Sequence, residues 1–249
     1  MMKYKVYLST KIKASSLPSV KKNTCIIVIE PEDYTDSQIK AIKAKGYTVL
    51  GYLSIGTIST ERPFYKTYSK YKKKRLPDWP KEYYMDMTKA PWTNFLINRA
   101  SSLKKRGFDG WWLDNLDVYE EYKSPETFTA CWNLLKNIKK VGGYIMVNGG
   151  SEFFDNAMDK KKDLTVIVNG VTQEEVWSLI KDYSGKGKFG TQTKSQGTWY
   201  RKYMKRLLKF NVETYLLEYT RSAALKAKIK VWCKKYKMTG CCISEDVNL

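Results

Sequence analysis

The stretch Arg106-Gly-Phe-Asp-Gly-Trp-Trp-Leu-Asp-Asn-Leu-Asp117 organises the rest of the chain. It predicts the end of a helix, a turn at Gly107 and a short apolar strand of the kind that is covered on both faces in a parallel sheet. The strand runs directly into three polar residues, Asp114, Asn115 and Asp117. One interpretation is that Asp114 or Asp117 caps the next helix or forms an Asx turn. Three polar groups in four residues, directly behind two tryptophans, favour a functional site instead.

Strand-like segments recur along the whole chain, and most are separated by segments with helical periodicity. The predicted strands are 4–9, 24–30, 48–54, 108–114, 143–148, 164–169, 211–219 and 240–244. This alternation predicts a parallel sheet, and a length of 249 residues suits one large unit. We therefore expect residues 1–249 to form a single domain of the α/β class, a (β/α)8 TIM barrel, with an open doubly wound sheet as the alternative.

The longest irregular segment is expected between residues 56 and 91, and it contains Arg62 and aromatic residues along its whole length. Loops this long inside a compact domain are usually lids or binding surfaces. Aromatic rings in such a loop suit stacking on sugars, but the same rings would equally well pack the loop onto the barrel. Both interpretations stay open on the sequence.

The chain contains no histidine. This absence excludes Ser-His-Asp and Cys-His nucleophile systems and the common zinc enzymes, so acid–base chemistry falls to carboxylates, tyrosine or lysine. The five cysteines lack metal-ligand spacing, and we expect free thiols, with one disulfide as the alternative. The net charge of +20 suggests a polyanionic partner, although most of it is lysine, which an ordinary solvated surface also carries.

Polar side chains stand at the predicted ends of the strands and in the loops behind them. They are Glu30, Ser54, Asp114, Asn148, Asn169, Glu174, Glu218 and Glu245. In a closed barrel these ends converge on one face. Carboxylates beside amides, without a nucleotide-binding fingerprint, suit glycosidic bond cleavage, which needs one carboxyl as acid and another as nucleophile or base. We expect no cofactor and no metal, because the spacing of Asp114 and Asp117 matches no metal-binding loop. Glu218 and Glu245 have the structural alternative of pairing with lysines.

Five pieces of the chain, in order, resemble glycoside hydrolase family 114, the endo-α-1,4-polygalactosaminidase-like proteins. They are Gly51-Tyr-Leu-Ser-Ile-Gly56, Gly107-Phe-Asp-Gly-Trp-Trp-Leu-Asp-Asn-Leu-Asp117, Val147-Asn148, Val168-Asn-Gly-Val-Thr-Gln-Glu174 and Leu217-Glu-Tyr-Thr220. The resemblance covers nearly the whole chain, and its second piece is the most specific. It implies a TIM barrel that hydrolyses α-1,4-linked galactosamine polymers with two carboxylates on separate strand ends. The family's aspartate falls on Asp114, the nucleophile or water-activating base. Its glutamate falls on Glu174, the acid, with Glu175 as the alternative.

The other polar residues near the strand ends are expected to bind substrate. They are Ser54, Arg62, Asn115, Asp117, Asn148, Asn169, Glu218, Tyr219 and Glu245. The implied substrate is cationic, and a locally acidic cleft would still bind it to a basic protein, because screening in physiological salt acts over about 8 Å.

The expected partner is a polysaccharide, with no nucleic acid, no integral membrane contact and a monomeric chain. The alternative from another class is a non-catalytic barrel that holds carbohydrate or an anionic cell-wall polymer through its basic segments. A nucleic-acid binder would need a recognition motif, which the sequence lacks. No signal peptide is visible at the start of the chain. The location is therefore left open, extracellular if a leader was trimmed and cytoplasmic otherwise.

Overall fold

The computed structural model describes residues 2–249, and its centre is a barrel of parallel strands. The strands, numbered along the chain, are β1 (Met2–Tyr7), β2 (Cys25–Ile29), β3 (Thr48–Ser54), β4 (Thr57–Ser59), β5 (Lys72–Arg75), β6 (Glu82–Met85), β7 (Gly110–Asp114), β8 (Tyr144–Asn148), β9 (Gly170–Glu174), β10 (Ser178–Asp182), β11 (Lys188–Thr191), β12 (Glu213–Tyr219) and β13 (Gly240–Ser244). The barrel order is β1-β13-β12-β9-β8-β7-β3-β2, and the pairing of β1 with both β13 and β2 closes it. The (β/α)8 TIM barrel prediction is confirmed, and the open sheet is excluded.

Helices cover the outside of the barrel. They are α1 (Asp36–Ala44), α2 (Tyr65–Tyr68), α3 (Ala90–Lys105), α4 (Val118–Glu121), α5 (Pro125–Val141), α6 (Ser151–Asp159), α7 (Lys194–Leu208) and α8 (Ala223–Lys235). Side chains cap the starts of four of them, α1, α5, α7 and α8. Thr35 and Gln38 form a capping box at α1, and Ser124 caps α5 with a proline in the first turn. None of the helices between residues 2 and 249 is both long enough and apolar enough to cross a membrane.

Two apolar layers are separated by the barrel wall, because alternate residues of a strand face opposite sides. Trp112 belongs to the inner layer, whereas Trp111 packs outward and donates its indole N–H to the Ala100 carbonyl of α3 at 3.1 Å. Asp114 has the same parity as Trp112 and is therefore directed into the barrel mouth. The same alternation directs Asn148 and Glu174 inward at the ends of β8 and β9.

Two insertions rise above the carboxyl ends of the barrel strands. The first follows β3 and forms a three-stranded antiparallel sheet in the order β4-β6-β5. The second follows β9 and is the antiparallel hairpin β10–β11. The segment 56–91, predicted to be irregular, thus contains regular structure. Both insertions stand where loops of a barrel shape the active site.

The predicted strand 164–169 is wrong. Residues Leu164–Val166 form a 3-10 turn, and β9 begins only at Gly170. Leu164, Ile167 and Val168 are buried against the helical layer, and a buried apolar run looks the same in a strand and in such a turn. The predicted strand and β9 therefore share no residue, and β9 begins one residue after the predicted strand ends.

Candidate active site

A cleft of about 550 Å³ opens at the carboxyl ends of the barrel strands. Asp114 and Glu174, the last residues of β7 and β9, lie in its wall, and Trp112 lies below them. The strand β8 runs between β7 and β9 and ends at Asn148. Three neighbouring strand ends therefore present a carboxylate, an amide and a carboxylate side by side.

The Asn148 amide bridges the two carboxylates. Its Nδ2 donates to Asp114 Oδ1 at 3.0 Å and to Glu174 Oε1 at 2.6 Å. These distances hold the two carboxylate oxygens within about 6 Å of each other, close to the spacing that retaining glycosidases use.

Each carboxylate also accepts from a phenol at its second oxygen. Tyr52 on β3 donates to Asp114 Oδ2 at 3.1 Å, and Tyr219 on β12 donates to Glu174 Oε2 at 2.8 Å. Asn115 Nδ2 adds a longer contact of 3.3 Å to Asp114 Oδ2. Hydrogen bonds at both oxygens of each group fix its orientation, as a reacting carboxylate requires.

Burial raises the pKa of both carboxyls. The pKa of Asp114 is raised by burial, and donors from Asn148, the Asn115 backbone and Tyr52 oppose this. The pKa of Glu174 is raised to about 8 by burial and then by the negative charge of Asp114. Glu174 therefore holds its proton at neutral pH and has the character of a general acid.

The residues after β7 support Asp114 and Asn148. Asp117 occupies the N-cap position of α4, but its side chain makes no capping hydrogen bond to that helix. Asp117 Oδ1 accepts the Gly150 N–H at 2.7 Å, which ties it to the turn behind Asn148. A Cβ at Gly149, where φ is +72°, would lie 2.7 Å from Asp117 Oδ2, so the turn needs glycine. Burial, followed by the charge of Glu120, raises the pKa of Asp117 to about 7.

Arg62 lies in the cleft wall as an ion pair. Its guanidinium donates to Glu30 Oε1 at 3.0 Å and Oε2 at 2.7 Å, a bidentate contact between the first insertion and the end of β2. Ser54 lies behind the cleft, where it accepts from Asn115 Nδ2 at 3.0 Å and pairs with Thr57. Ser54 therefore supports Asn115 and does not line the cleft.

Besides Ser54, three residues predicted to bind substrate do not line the cleft. Asn169 precedes β9 at the opposite end of the barrel, where its Oδ1 accepts the Ile145 N–H at 2.9 Å. It was misplaced because the predicted strand was wrong. Glu218 faces outward, since Leu217 and Tyr219 face inward, and it accepts from the backbone of Trp177 and Ser178. Glu245 is exposed and forms an ion pair with Lys226, in agreement with the alternative expectation that it pairs with a lysine.

Several cleft residues were not named as site residues by the sequence prediction, because they lie inside strands, in the insertions or, for Tyr200, on α7. They are Tyr52, Trp79, Glu82, Trp112, Gln173, Tyr183 and Tyr200. Tyr52 and Trp112 carried a usable signal, since each stands two residues before a strand end and so shares the inward parity. The aromatic residues of the first insertion divide between both interpretations: Phe64 and Tyr68 pack on Phe95, whereas Trp79 lines the cleft.

The cleft is strongly acidic although the chain carries a net charge of +20. Its acidic residues are Glu30, Glu82, Asp114, Asp117, Glu120, Glu174 and Glu175, and Arg62 is its one basic residue. No cluster of three or more His, Cys, Asp or Glu side chains with metal-binding geometry occurs among residues 2–249.

Comparison with solved structures gives proteins with the same fold. The glycoside hydrolase domain of PelA from Pseudomonas aeruginosa superposes with a TM-score of 0.79 at 16% identity, covering 99% of this chain and 96% of that one. Aspergillus fumigatus Ega3, solved in complex with galactosamine, gives 0.74 at 15% identity, with 100% and 92% covered. TtGalA, an α-galactosidase from Thermus thermophilus, gives 0.56 at 10% identity, with 97% and 58% covered.

A search of curated protein sequences returns no match. The family model of glycoside-hydrolase family GH114 matches residues 2–243, so the chain belongs to that family.

Proposed function

We propose that this glycoside hydrolase is a retaining, endo-acting O-glycosidase that cleaves an α-1,4-linked galactosamine-containing polymer with Asp114 and Glu174. The observation that carries the proposal is the Asn148 bridge, which holds the two carboxylates on adjacent sides of one amide. Retaining enzymes keep their carboxyl groups about 5–5.5 Å apart, whereas inverting enzymes leave roughly 6.5–9.5 Å for a water molecule. The bridge supports the shorter spacing.

Asp114 is the proposed nucleophile and Glu174 the proposed acid. Asp114 attacks the anomeric carbon while Glu174 gives its proton to the glycosidic oxygen, so the C–O bond breaks and a glycosyl ester forms on Asp114. Water then attacks the same carbon, Glu174 takes its proton, and Asp114 leaves. Because the charge of Asp114 raises the pKa of Glu174, ester formation removes that charge and makes Glu174 a stronger acid, which suits its ionised role in the second step.

The charge of the cleft supports a cationic substrate. Seven acidic side chains face one arginine in the cleft, and those that are ionised attract the ammonium groups of de-N-acetylated galactosamine. Arg62 is already paired with Glu30. Salt screens the field of charges that lie more than about 8 Å away, so the charges that line the cleft matter most to a bound sugar. The same charge argues against an anionic cell-wall polymer in this cleft.

The proposal is tested by reducing-end release from partly de-N-acetylated α-1,4-galactosamine polymer. Asp114→Asn and Glu174→Gln are expected to lose about 10³-fold or more, because each removes a group that acts on the reacting atoms. The matched control is Glu245→Gln, which removes an exposed carboxylate at a strand end outside the cleft.

Proton NMR of the first products decides the stereochemistry, and retention predicts that the α-anomer appears before mutarotation. Initial β-anomer would show inversion. Undiminished hydrolysis by Asp114→Asn would remove that residue from the mechanism.

A further inference from the structure

Two exposed aromatic side chains meet above the active-site cleft. Trp79 is 49% exposed and Tyr183 is 38% exposed, and their rings contact edge to face with centroids 5.7 Å apart. Trp79 belongs to the first insertion and Tyr183 to the tip of the β10–β11 hairpin. Both rings line the same cleft as Asp114 and Glu174. Aromatic side chains left half in solvent over a carboxylate-rich cleft contribute little to a core, which favours a role at the cleft.

The contact joins two separate parts of the barrel rim. The insertion with Trp79 follows β3, the hairpin with Tyr183 follows β9, and the ends of β7 and β8 lie between them. The contact therefore crosses the rim over the region of Asp114 and Asn148. Cleft residues stand on both sides of it, for example Glu120 after β7 and Glu30 after β2. A glycan lying along the cleft would thus pass beneath the two rings.

The Tyr183 side of the contact is anchored to the barrel. Arg221 donates to the Lys186 carbonyl at 2.8 Å and to the Gly187 carbonyl at 3.1 Å, and Asn248 donates to the Gly185 carbonyl at 2.8 Å. These bonds hold the hairpin tip directly beside Tyr183. Burial, and then the charges of Glu175 and Glu174, raise the pKa of Tyr183 to about 12.

The Trp79 side is the freer half. Residues 77–81 are all exposed and form a tight turn in which the Leu76 N–H donates to the Glu82 carbonyl at 3.0 Å. Apart from the area that it buries, an aromatic pair raises the equilibrium constant for contact by only about twofold to tenfold. The pair therefore opens readily.

We propose that Trp79 and Tyr183 form a clasp that opens to admit the middle of a polysaccharide chain and closes over the bound sugars. The proposal rests on the proposed function only in requiring that the cleft binds a long glycan. Closure places the two rings against pyranose faces, for which aromatic surfaces are well suited. A closed clasp retains the polymer between successive cuts, whereas an open cleft would release it after each one.

Binding kinetics without turnover test the clasp. The probe is fluorescently labelled, partly de-N-acetylated α-1,4-galactosamine polymer, and all proteins carry Asp114→Asn so that the probe is not cut. Association and dissociation rates are compared with and without Trp79→Ala, and separately with Tyr183→Ala. The matched control is Trp199→Ala, since Trp199 is 37% exposed but stacks on Tyr203 outside the cleft.

Loss of either clasp residue is expected to raise the dissociation rate about fivefold. It is also expected to raise the association rate, because the middle of a long chain no longer waits for the clasp to open. A trisaccharide, which enters from an open end of the cleft, should show no gain in association rate. Trp199→Ala should leave both rates for the polymer unchanged.

Three outcomes overturn the clasp: an unchanged dissociation rate, a faster dissociation with an unchanged association rate, or no binding of the polymer at all. The second would make Trp79 a stacking platform only. If both rates change as expected but the wild-type protein releases no reducing ends, the hydrolysis proposed above is refuted and the clasp is retained. Hydrolysis by wild type with rates insensitive to both substitutions would refute the clasp alone.

Discussion

At the scale of single residues, Asn148 is the side chain on which the arrangement of the cleft depends. In the Asn148 side chain only the amide nitrogen can donate hydrogen bonds, and it donates to both carboxyl groups. The bridge therefore fixes which way the amide points. A carboxylate at this position would add a third negative charge to the same few ångströms. Asn148 therefore both positions Asp114 and Glu174 and lowers the pKa of each, against the larger effect of burial.

Removing this amide should move the pH profile. In Asn148→Ala the pKa of Asp114 rises, because the variant loses a hydrogen bond that favours its ionised form. In the proposed mechanism Asp114 must be ionised to attack, so the acidic limb of kcat/KM should shift to higher pH. The expected loss in kcat is about 10²-fold, since both groups lose their positioning.

The matched control for that profile is Asn169→Ala, which removes the same side chain at the other end of the barrel. It is expected to leave both limbs in place, even where it lowers stability. An acidic limb that does not move in Asn148→Ala would show that the bridge does not tune Asp114.

At the scale of secondary-structure elements, three barrel strands begin with the same device. A polar residue precedes a glycine, in Asp109-Gly110, Asn169-Gly170 and Thr239-Gly240, and its side-chain oxygen accepts a backbone N–H of the neighbouring strand. The glycine leaves room for the neighbour: a Cβ at Gly110 would lie 1.9 Å from the Tyr144 carbonyl oxygen. This arrangement sets the register of β7, β9 and β13. It also explains why Asn169 stands immediately before β9.

Disrupting one such start should cost stability without affecting catalysis. Asp109 Oδ2 accepts the Val49 N–H at 2.9 Å, and Oδ1 pairs with Lys43 at 2.7 Å. Asp109→Ala leaves that N–H without its partner, and we expect the free energy of unfolding to fall by about 1–3 kcal/mol. Urea denaturation measures this fall, and kcat should stay within twofold of wild type.

Asp109→Asn is the conservative comparison, because its side-chain oxygen still accepts the hydrogen bond. It should lose less stability than Asp109→Ala. Equal losses in the two variants would mean that the charge of Asp109, and not its hydrogen bond, supports the strand.

At the scale of the whole molecule, the distribution of charge and the absence of histidine determine the response to pH. Burial raises the pKa of Asp117 and Glu218 to about 7 and that of Glu174 to about 8. The same groups have pKa values of about 4 in an unfolded chain. No histidine titrates in the intervening range. The interval from pH 5.5 to 7.5 therefore reports mainly on these buried carboxyls.

The free energy of unfolding should fall as the pH rises through this interval. The folded protein keeps protons on these carboxyls that the unfolded chain has already released, and stability falls with pH wherever the folded state binds more protons. Each group contributes at most about 1.4 kcal/mol per pH unit. Denaturant unfolding at pH 5.5 and 7.5 measures the difference.

Glu174→Gln removes one of these titrating groups, so the free energy of unfolding should fall less steeply between pH 5.5 and 7.5. Glu245→Gln should not, because Lys226 lowers the pKa of that exposed carboxyl and it is ionised in both states throughout the interval. A wild-type stability that stays level or rises between the two pH values would contradict the raised pKa values.

The sequence by itself determined the fold class and indicated Asp114 as a candidate site residue. Strand and helix periods and caps such as Ser124 are local properties, so the βα alternation is readable without tertiary contacts. Asp114 was found because the end of a buried strand is also local, and the absence of histidine is a matter of composition. Glu174 stood among the polar residues behind the predicted strands, but its role as the acid came from the family resemblance, since its own strand was misread.

Only the tertiary structure decided which polar residues meet. Asn148 lies between the two carboxylates because β8 runs between β7 and β9, an order that no single segment encodes. Glu218 faces outward because a strand's facing depends on a register of one residue. Asn169 lies at the end of the barrel opposite the cleft. The sequence did not show this, because a buried apolar run does not reveal at which residue its strand begins. Burial, a property of the assembled barrel, raises the pKa values, and folding brings acidic residues from distant segments into one cleft of a basic chain.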